Sequence, residues 1–123
     1  VARRREIFAH YEASLSCHGI AFMPEPNGFN STRWLTVLTV DPRKTDVTRE
    51  EIRLMLLENE IEARPVWKPM HMQPLYDGAP YHGSGIDEDI FANGLCLPSG
   101  SDLTEDQQCE VIDRIKTLMD AAK

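Results

Sequence analysis

RWLTVLTV (Arg33–Val40) is the stretch on which the fold turns. It is rich in β-branched and aromatic residues, the composition of a half-buried strand. Asp41-Pro42 follows it, and proline cannot donate to a ladder, so the strand ends there. Upstream, Gly19 to Ser31 carries two prolines, two glycines and two asparagines, which predicts an irregular connection. Before that, residues 2–16 read as a helix. Phe8, Tyr11 and Leu15 share a face with Ile7 beside them, while Arg3, Arg4, Glu6 and Glu12 fall largely elsewhere.

Downstream, Thr48 and Glu51 have capping-box spacing, in which the hydroxyl accepts from the N3 amide and the carboxylate reaches back. A helix should begin there. It carries Ile52, Met55 and Leu56 on one face, with Leu54 and Leu57 outside that stripe. So wide an apolar arc reads as a deep core helix, the alternative being a second contact face for an absent domain. Glu60 to Val66 reads as a short strand and Ser84 to Asn93 as a short helix, with Asn93-Gly94 as its stop. Leu95 to Leu97 is a strand closed by Pro98. Thr104 and Gln107 form a second capping box, followed by the stripe Val111, Ile112, Ile115, Leu118 and Met119. Helices mixed with short strands over this length predict an α+β fold, a small, mostly antiparallel sheet with helices packed on one side.

The chain has 123 residues, the size of a single domain able to bury a core without metal or disulfide staples. Its net charge of -7 repels nucleic-acid phosphates, which excludes a duplex-binding role as the first reading. Arg3-Arg4-Arg5 is the one basic cluster and reads as a solvated helix face. Cys17, Cys96 and Cys109 are odd in number and widely spaced, which fits a reducing, cytoplasmic compartment. No apolar run reaches the roughly 18 residues of a membrane span. A sequence opening on Val-Ala-Arg inside a helical pattern leads to the expectation of a fragment of a longer protein.

RPVWKPMHMQPLY (Arg64–Tyr76) is the stretch least explained by folding needs. Arg64, Trp67, Lys68, His71 and Tyr76 crowd a segment stiffened by Pro65, Pro69 and Pro74, which lowers the entropy lost on ordering it. Such a loop can present cations and aromatic faces to an anionic, ring-containing ligand. It can equally be a packed loop with Trp67 in the core and Lys68 in solvent, and composition leaves the two open. Metal binding is disfavoured: His71 and His82 lie far apart in sequence, the Cys17-His18 neighbours suit no ligand geometry, and no HExxH or paired-cysteine spacing occurs. Cys96 reads as a structural thiol in an apolar strand. Ser99-Gly100-Ser101 lacks the nucleophile-elbow pattern. No catalytic residue emerges from spacing.

RWLTVLTVDP (Arg33–Pro42), the run from Thr48 to Tyr76, GAPYHG (Gly78–Gly83) and GLCLPSGSDLTEDQ (Gly94–Gln107) occur in that order. Together they resemble the C-terminal small domain of the DegT/DnrJ/StrS nucleotide-sugar aminotransferases, a branch of the aspartate-aminotransferase-like enzymes of fold type I. The resemblance implies a parent enzyme that uses pyridoxal phosphate (PLP). Such an enzyme moves an amino group from glutamate to a nucleotide-linked keto-sugar in amino-sugar and polysaccharide biosynthesis, usually as a homodimer. It also implies that the large N-terminal domain bearing the catalytic lysine lies outside residues 1–123. Lys44, Lys68, Lys116 and Lys123 match no such motif, so the chain alone is expected neither to bind PLP tightly nor to transaminate. By the same resemblance, His71 falls on the family's substrate-contacting histidine. Arg64, Trp67 and Tyr76 surround it, and Lys68 and Tyr81 are carried over after them. The alternatives are a free-standing α+β module binding an anionic small ligand and an interaction domain docking through Leu54 and Leu57.

Overall fold

The computed structural model describes residues 1–16 and 19–122; Cys17, His18 and Lys123, and the readings placed on them, lie outside the described residues. The elements run α1 (Ala2–Leu15), β1 (Ile20–Phe22), β2 (Thr36–Val40), α2 (Arg49–Glu58), β3 (Arg64–Pro65), α3 (Ile86–Asn93), β4 (Gly94–Leu97) and α4 (Glu105–Ala121), with two 3₁₀ turns, Met70–Met72 and Pro74–Tyr76, between β3 and α3. The strands form one antiparallel sheet in the order β1-β2-β4-β3.

The register decides which side chains are buried. Leu38 pairs with Leu95 and Thr36 with Leu97, so these residues share one face. Ile20 and Val40 extend that face toward β1. Against it pack Ile7, Tyr11 and Leu15 of α1, Ile52 and Leu56 of α2, and Val111, Ile112, Ile115 and Met119 of α4. Each such aliphatic side chain taken from water contributes about 2 kcal/mol, which is what holds three helices on one side. Both capping boxes are present as read, with Thr48 accepting from the Glu51 amide and Thr104 from the Gln107 amide. The fold is thus the expected α+β class. The helix α3 is set apart, running directly into β4.

Several local expectations are corrected. The connection after α1 contains a strand, β1, because Ile20 and Phe22 find Val40 and Leu38 across the ladder. Regular pairing in the RWLTVLTV segment starts only at Thr36, since Arg33 adopts a left-handed φ of 49°. The stop of α3 at Asn93-Gly94 holds, but Gly94 is not a left-handed cap; with φ -95° and ψ 142° it is extended and already the first residue of β4. The helix α2 is not a deep core helix, because Leu54 and Leu57 are 43% and 55% exposed. Nor are the arginines of α1 a solvated face. Arg3 donates to the Leu103 carbonyl at 2.8 Å, Arg4 to the Trp34 carbonyl, and Arg5 to the Ser31 carbonyl at 2.6 Å and to both oxygens of Glu25. They pin distant segments onto the helix.

Candidate functional site

The face of the sheet turned away from the helical core begins with Val37, Cys96 and Arg64, which alternate with the buried Leu38, Leu95 and Leu97. Burial raises the Cys96 thiol above its usual range, as a packed structural thiol requires. At the end of this face Trp34 and Trp67 lie 5.9 Å apart with their rings tilted by 31°. Each is 63% exposed, so the packed alternative with Trp67 in the core is ruled out. Trp34 is held from behind by Arg4 on its carbonyl and by the turn at Arg33. The Arg33 guanidinium lies 3.6 Å over the Phe8 ring and donates to the Met23 carbonyl at 2.7 Å. A cleft of about 320 Å³ runs beneath the indoles, lined by Arg64, Pro65, Cys96 and Pro98 among others. Arg64 pairs with Glu62 at 2.6 Å, with both side chains well exposed.

Beyond Trp67 the chain makes its two 3₁₀ turns, with Pro69 before the first and Pro74 opening the second. His71 stacks on Tyr81 with ring centroids 3.9 Å apart. Its Nε2 lies 2.8 Å from Glu88 Oε1 and its Nδ1 3.5 Å from Asp87 Oδ2. The GAPYHG motif supplies the backbone for this. Gly83 has no side chain where Tyr81 lies, since a Cβ there would fall 2.1 Å from the phenolic oxygen. Gly85 turns into α3 with a φ of 80°, left-handed backbone that glycine adopts without strain. The Tyr81 hydroxyl accepts from the Gly85 amide at 3.2 Å and donates to Asp87 Oδ1. That last bond raises the Tyr81 pKa and lowers that of Asp87. Asp87, Glu88 and Asp89 fill the first turn of α3, where the helix dipole favours negative charge.

The six residues expected to form one surface therefore fall into parts. Arg64 and Trp67 belong to the indole cleft; His71 and Tyr81 belong to the cluster at the start of α3. Lys68 is exposed between them, its carbonyl accepting from Gln73 Nε2 at 3.1 Å. Tyr76 is half-buried in the second 3₁₀ turn and among the described residues makes no ring contact with the other five. Trp34, Asp87 and Glu88 were not read from sequence as site residues. An exposed Trp beside a strand start was the one signal for Trp34; the acids carried none beyond helix-start chemistry. A cleft of about 670 Å³ lies elsewhere, between the β1–β2 edge and α3, and none of the six lines it. Its cations Arg43 and Lys44 are both paired to Asp41, at 2.9 and 3.8 Å.

A lysine that forms an imine is activated by burial or by a neighbouring cation in a dry pocket. Lys44 is tied to Asp41 at the surface, and Lys68 and Lys116 are exposed. None of the described lysines sits in such a pocket among the described residues. Among them there is also no group of three or more His, Cys, Asp or Glu placed to hold a metal ion. No helix is long and apolar enough to cross a membrane.

An α+β domain with a stiffened, cation- and aromatic-bearing loop on its outer face is the class that fold and site define. The profile of the DegT/DnrJ/EryC1/StrS aminotransferase family matches residues 1–116, and the chain belongs to that family. It is 45% identical over 118 residues to EpsN of Bacillus subtilis (strain 168), which carries the name of a pyridoxal phosphate-dependent aminotransferase; the match covers 92% of this chain and 30% of EpsN. It is 29% identical to a GDP-perosamine synthase of Vibrio cholerae over 94% of this chain and 32% of that protein. The solved structure of the aminotransferase TlmJ from Streptoalloteichus hindustanus superposes with a TM-score of 0.83 at 25% identity, covering 98% of this chain and 32% of TlmJ. The chain thus spans roughly 30% of the length of the curated relatives it matches.

Proposed function

We propose that residues 1–123 are a single small domain, the C-terminal one, of a PLP-dependent aminotransferase acting on a nucleotide-linked keto-sugar. In this reading glutamate supplies the amino group, and the enzyme is a cytoplasmic homodimer of amino-sugar or polysaccharide biosynthesis. PLP, which when bound provides the electron sink for amino transfer, is held by residues outside this chain. The chain's own part is to bind and orient the sugar nucleotide. His71 Nε2 donates to a phosphate oxygen, Arg64 and Lys68 supply positive charge along the same loop, and Trp67, Tyr76 and Tyr81 give ring faces. The observation that carries this reading is the membership of the aminotransferase family together with an exposed, proline-stiffened loop that already orients His71.

Titration of the 123-residue chain with GDP-mannose and with UDP-glucose, followed by amide chemical shifts, tests it. Binding that perturbs residues 64–81 and is lost in His71→Ala, with the far-UV spectrum unchanged, is the expected result. Equal binding by both proteins removes His71 from the site.

A second reading, a domain that works by docking, is favoured by the exposed Trp34, Trp67, Leu54 and Leu57. The two are compatible where the sugar-nucleotide loop lies at the rim of the docked face. A free-standing module has no particular observation in its favour.

A further inference from the structure

The polar atoms of His71 are already engaged within the chain. A carboxylate offers only acceptor sites, so the 2.8 Å contact with Glu88 requires Nε2 to carry the hydrogen and donate it. Asp87 reaches the opposite side of the ring at 3.5 Å, and Tyr81 covers one face at 3.9 Å. The imidazole is only 19% exposed as a result. These contacts matter to the loop because little else holds it. From Trp67 to Ser84 no residue is buried, so the segment gains no core burial and depends on its own 3₁₀ turns and on bonds to the start of α3.

An N–H at 2.8 Å serves one acceptor. A phosphate oxygen arriving at Nε2 and the Glu88 carboxylate compete for the same hydrogen, and two carboxylates within 3.5 Å of the ring oppose a further anion there. We propose that Asp87 and Glu88 form an internal clasp on His71. They hold residues 70–81 against α3, and a phosphate-bearing ligand reaches His71 by displacing the Glu88 carboxylate. Ligand binding and release of the loop from α3 are then coupled, because the ligand prefers the unclasped state. The clasp rests on geometry alone; the displacement rests on the reading of His71 as a phosphate contact.

Two measurements on the 123-residue chain separate these parts. Hydrogen exchange is followed at the Met72, Gln73 and Tyr76 amides, which are bonded to the Pro69, Met70 and Gln73 carbonyls. Glu88→Ala and His71→Ala should each speed exchange there about threefold to fivefold, the scale of one exposed charged hydrogen bond. The double variant should be no faster than either single one. Glu88→Gln, which keeps an acceptor in place, should stay within about twofold of the parent. Unchanged exchange in both alanine variants overturns the clasp. In the second measurement UDP is the probe. Glu88→Ala should bind it about threefold tighter than the parent, Glu88→Gln should bind it less tightly than Glu88→Ala, and His71→Ala should lose it. If His71→Ala loses UDP while Glu88→Ala binds no tighter than the parent, the displacement is overturned. If no variant binds UDP but exchange responds as stated, the His71 phosphate contact and the displacement fall together and the clasp stands.

Discussion

The Ser99 hydroxyl accepts from the Thr36 amide at 2.8 Å and donates to the Leu97 carbonyl at 2.7 Å, closing the end of β2 onto β4 inside the protein. Tyr11 presents the opposite case: its hydroxyl is buried and has no hydrogen-bond partner among the described residues. Burial accordingly pushes the Tyr11 pKa up. Removing each hydroxyl should move stability in opposite directions. Ser99→Ala strands a buried amide and should cost about 1–3 kcal/mol, whereas Tyr11→Phe removes only an unpaired polar atom and should be neutral or stabilising by up to about 1 kcal/mol. Urea unfolding of the two variants beside the parent measures both. The sequence showed Ser99 only as part of an unremarkable Ser-Gly-Ser turn, because its partner Thr36 lies far away in the chain. Buried Gln108 was hidden for the same reason, since its Nε2 donates to the Ile7 carbonyl at 2.7 Å from the far end of the sequence.

At the scale of elements, the irregular segment between β1 and β2 is fixed by charge. Glu25 accepts from Arg5 at 2.7 and 3.0 Å and from the Ser31 amide at 2.9 Å, with Arg33 3.8 Å away. The Arg5 hydrogen bond foremost, and then the Ser31 amide, lower the Glu25 pKa from 4.5 to about 2. A depressed folded-state value means that the stabilisation is complete above the unfolded pKa near 4.5 and disappears as pH falls toward 2. Melting temperature should therefore drop between pH 5 and 2 in the parent (on the order of the window set by the two pKa values) and fall less steeply in Glu25→Gln. An equal slope in both proteins would count against the assignment. Elements specified by local chemistry were legible: both capping boxes, the two long amphipathic helices and the strand stop at Pro42. What pairing alone creates was not. β1 is three residues long and exists only through its register with Val40 to Leu38, and Trp34 meets Trp67 only once β2 and β3 flank β4. In the candidate site, loop composition drew attention to the segment from Arg64 to Tyr81, but the division of that segment into an indole cleft and a His71–Tyr81 cluster depends on where α3 starts.

For the whole molecule the distribution of apolar surface is uneven. Trp34, Trp67, Met70, Leu75 and Ile86 are each more than half exposed, and most of them belong to the segment between β3 and α3. A net charge of -7 opposes association through such a surface without explaining it, and large exposed apolar side chains gathered in one segment of a small domain point to a contact surface. Trp34 and Trp67 are the chain's two tryptophans, so tryptophan fluorescence, excited selectively over the three tyrosines, reports this face. Acrylamide should quench the emission readily in dilute solution. If the face is a contact surface and not part of the domain's own packing, replacing both indoles should cost the fold little. Trp34→Ser/Trp67→Ser should unfold in urea within about 1 kcal/mol of the parent, as surface substitutions do. The same variant should lose any concentration-dependent self-association seen in sedimentation, because a second copy is the simplest cover for an apolar face in a purified sample. A loss of several kcal/mol on unfolding would instead make the indole pair a structural brace between β2 and β3. A parent and variant that associate equally would shift the contact to the other open face, where Leu54 and Leu57 stand out from α2.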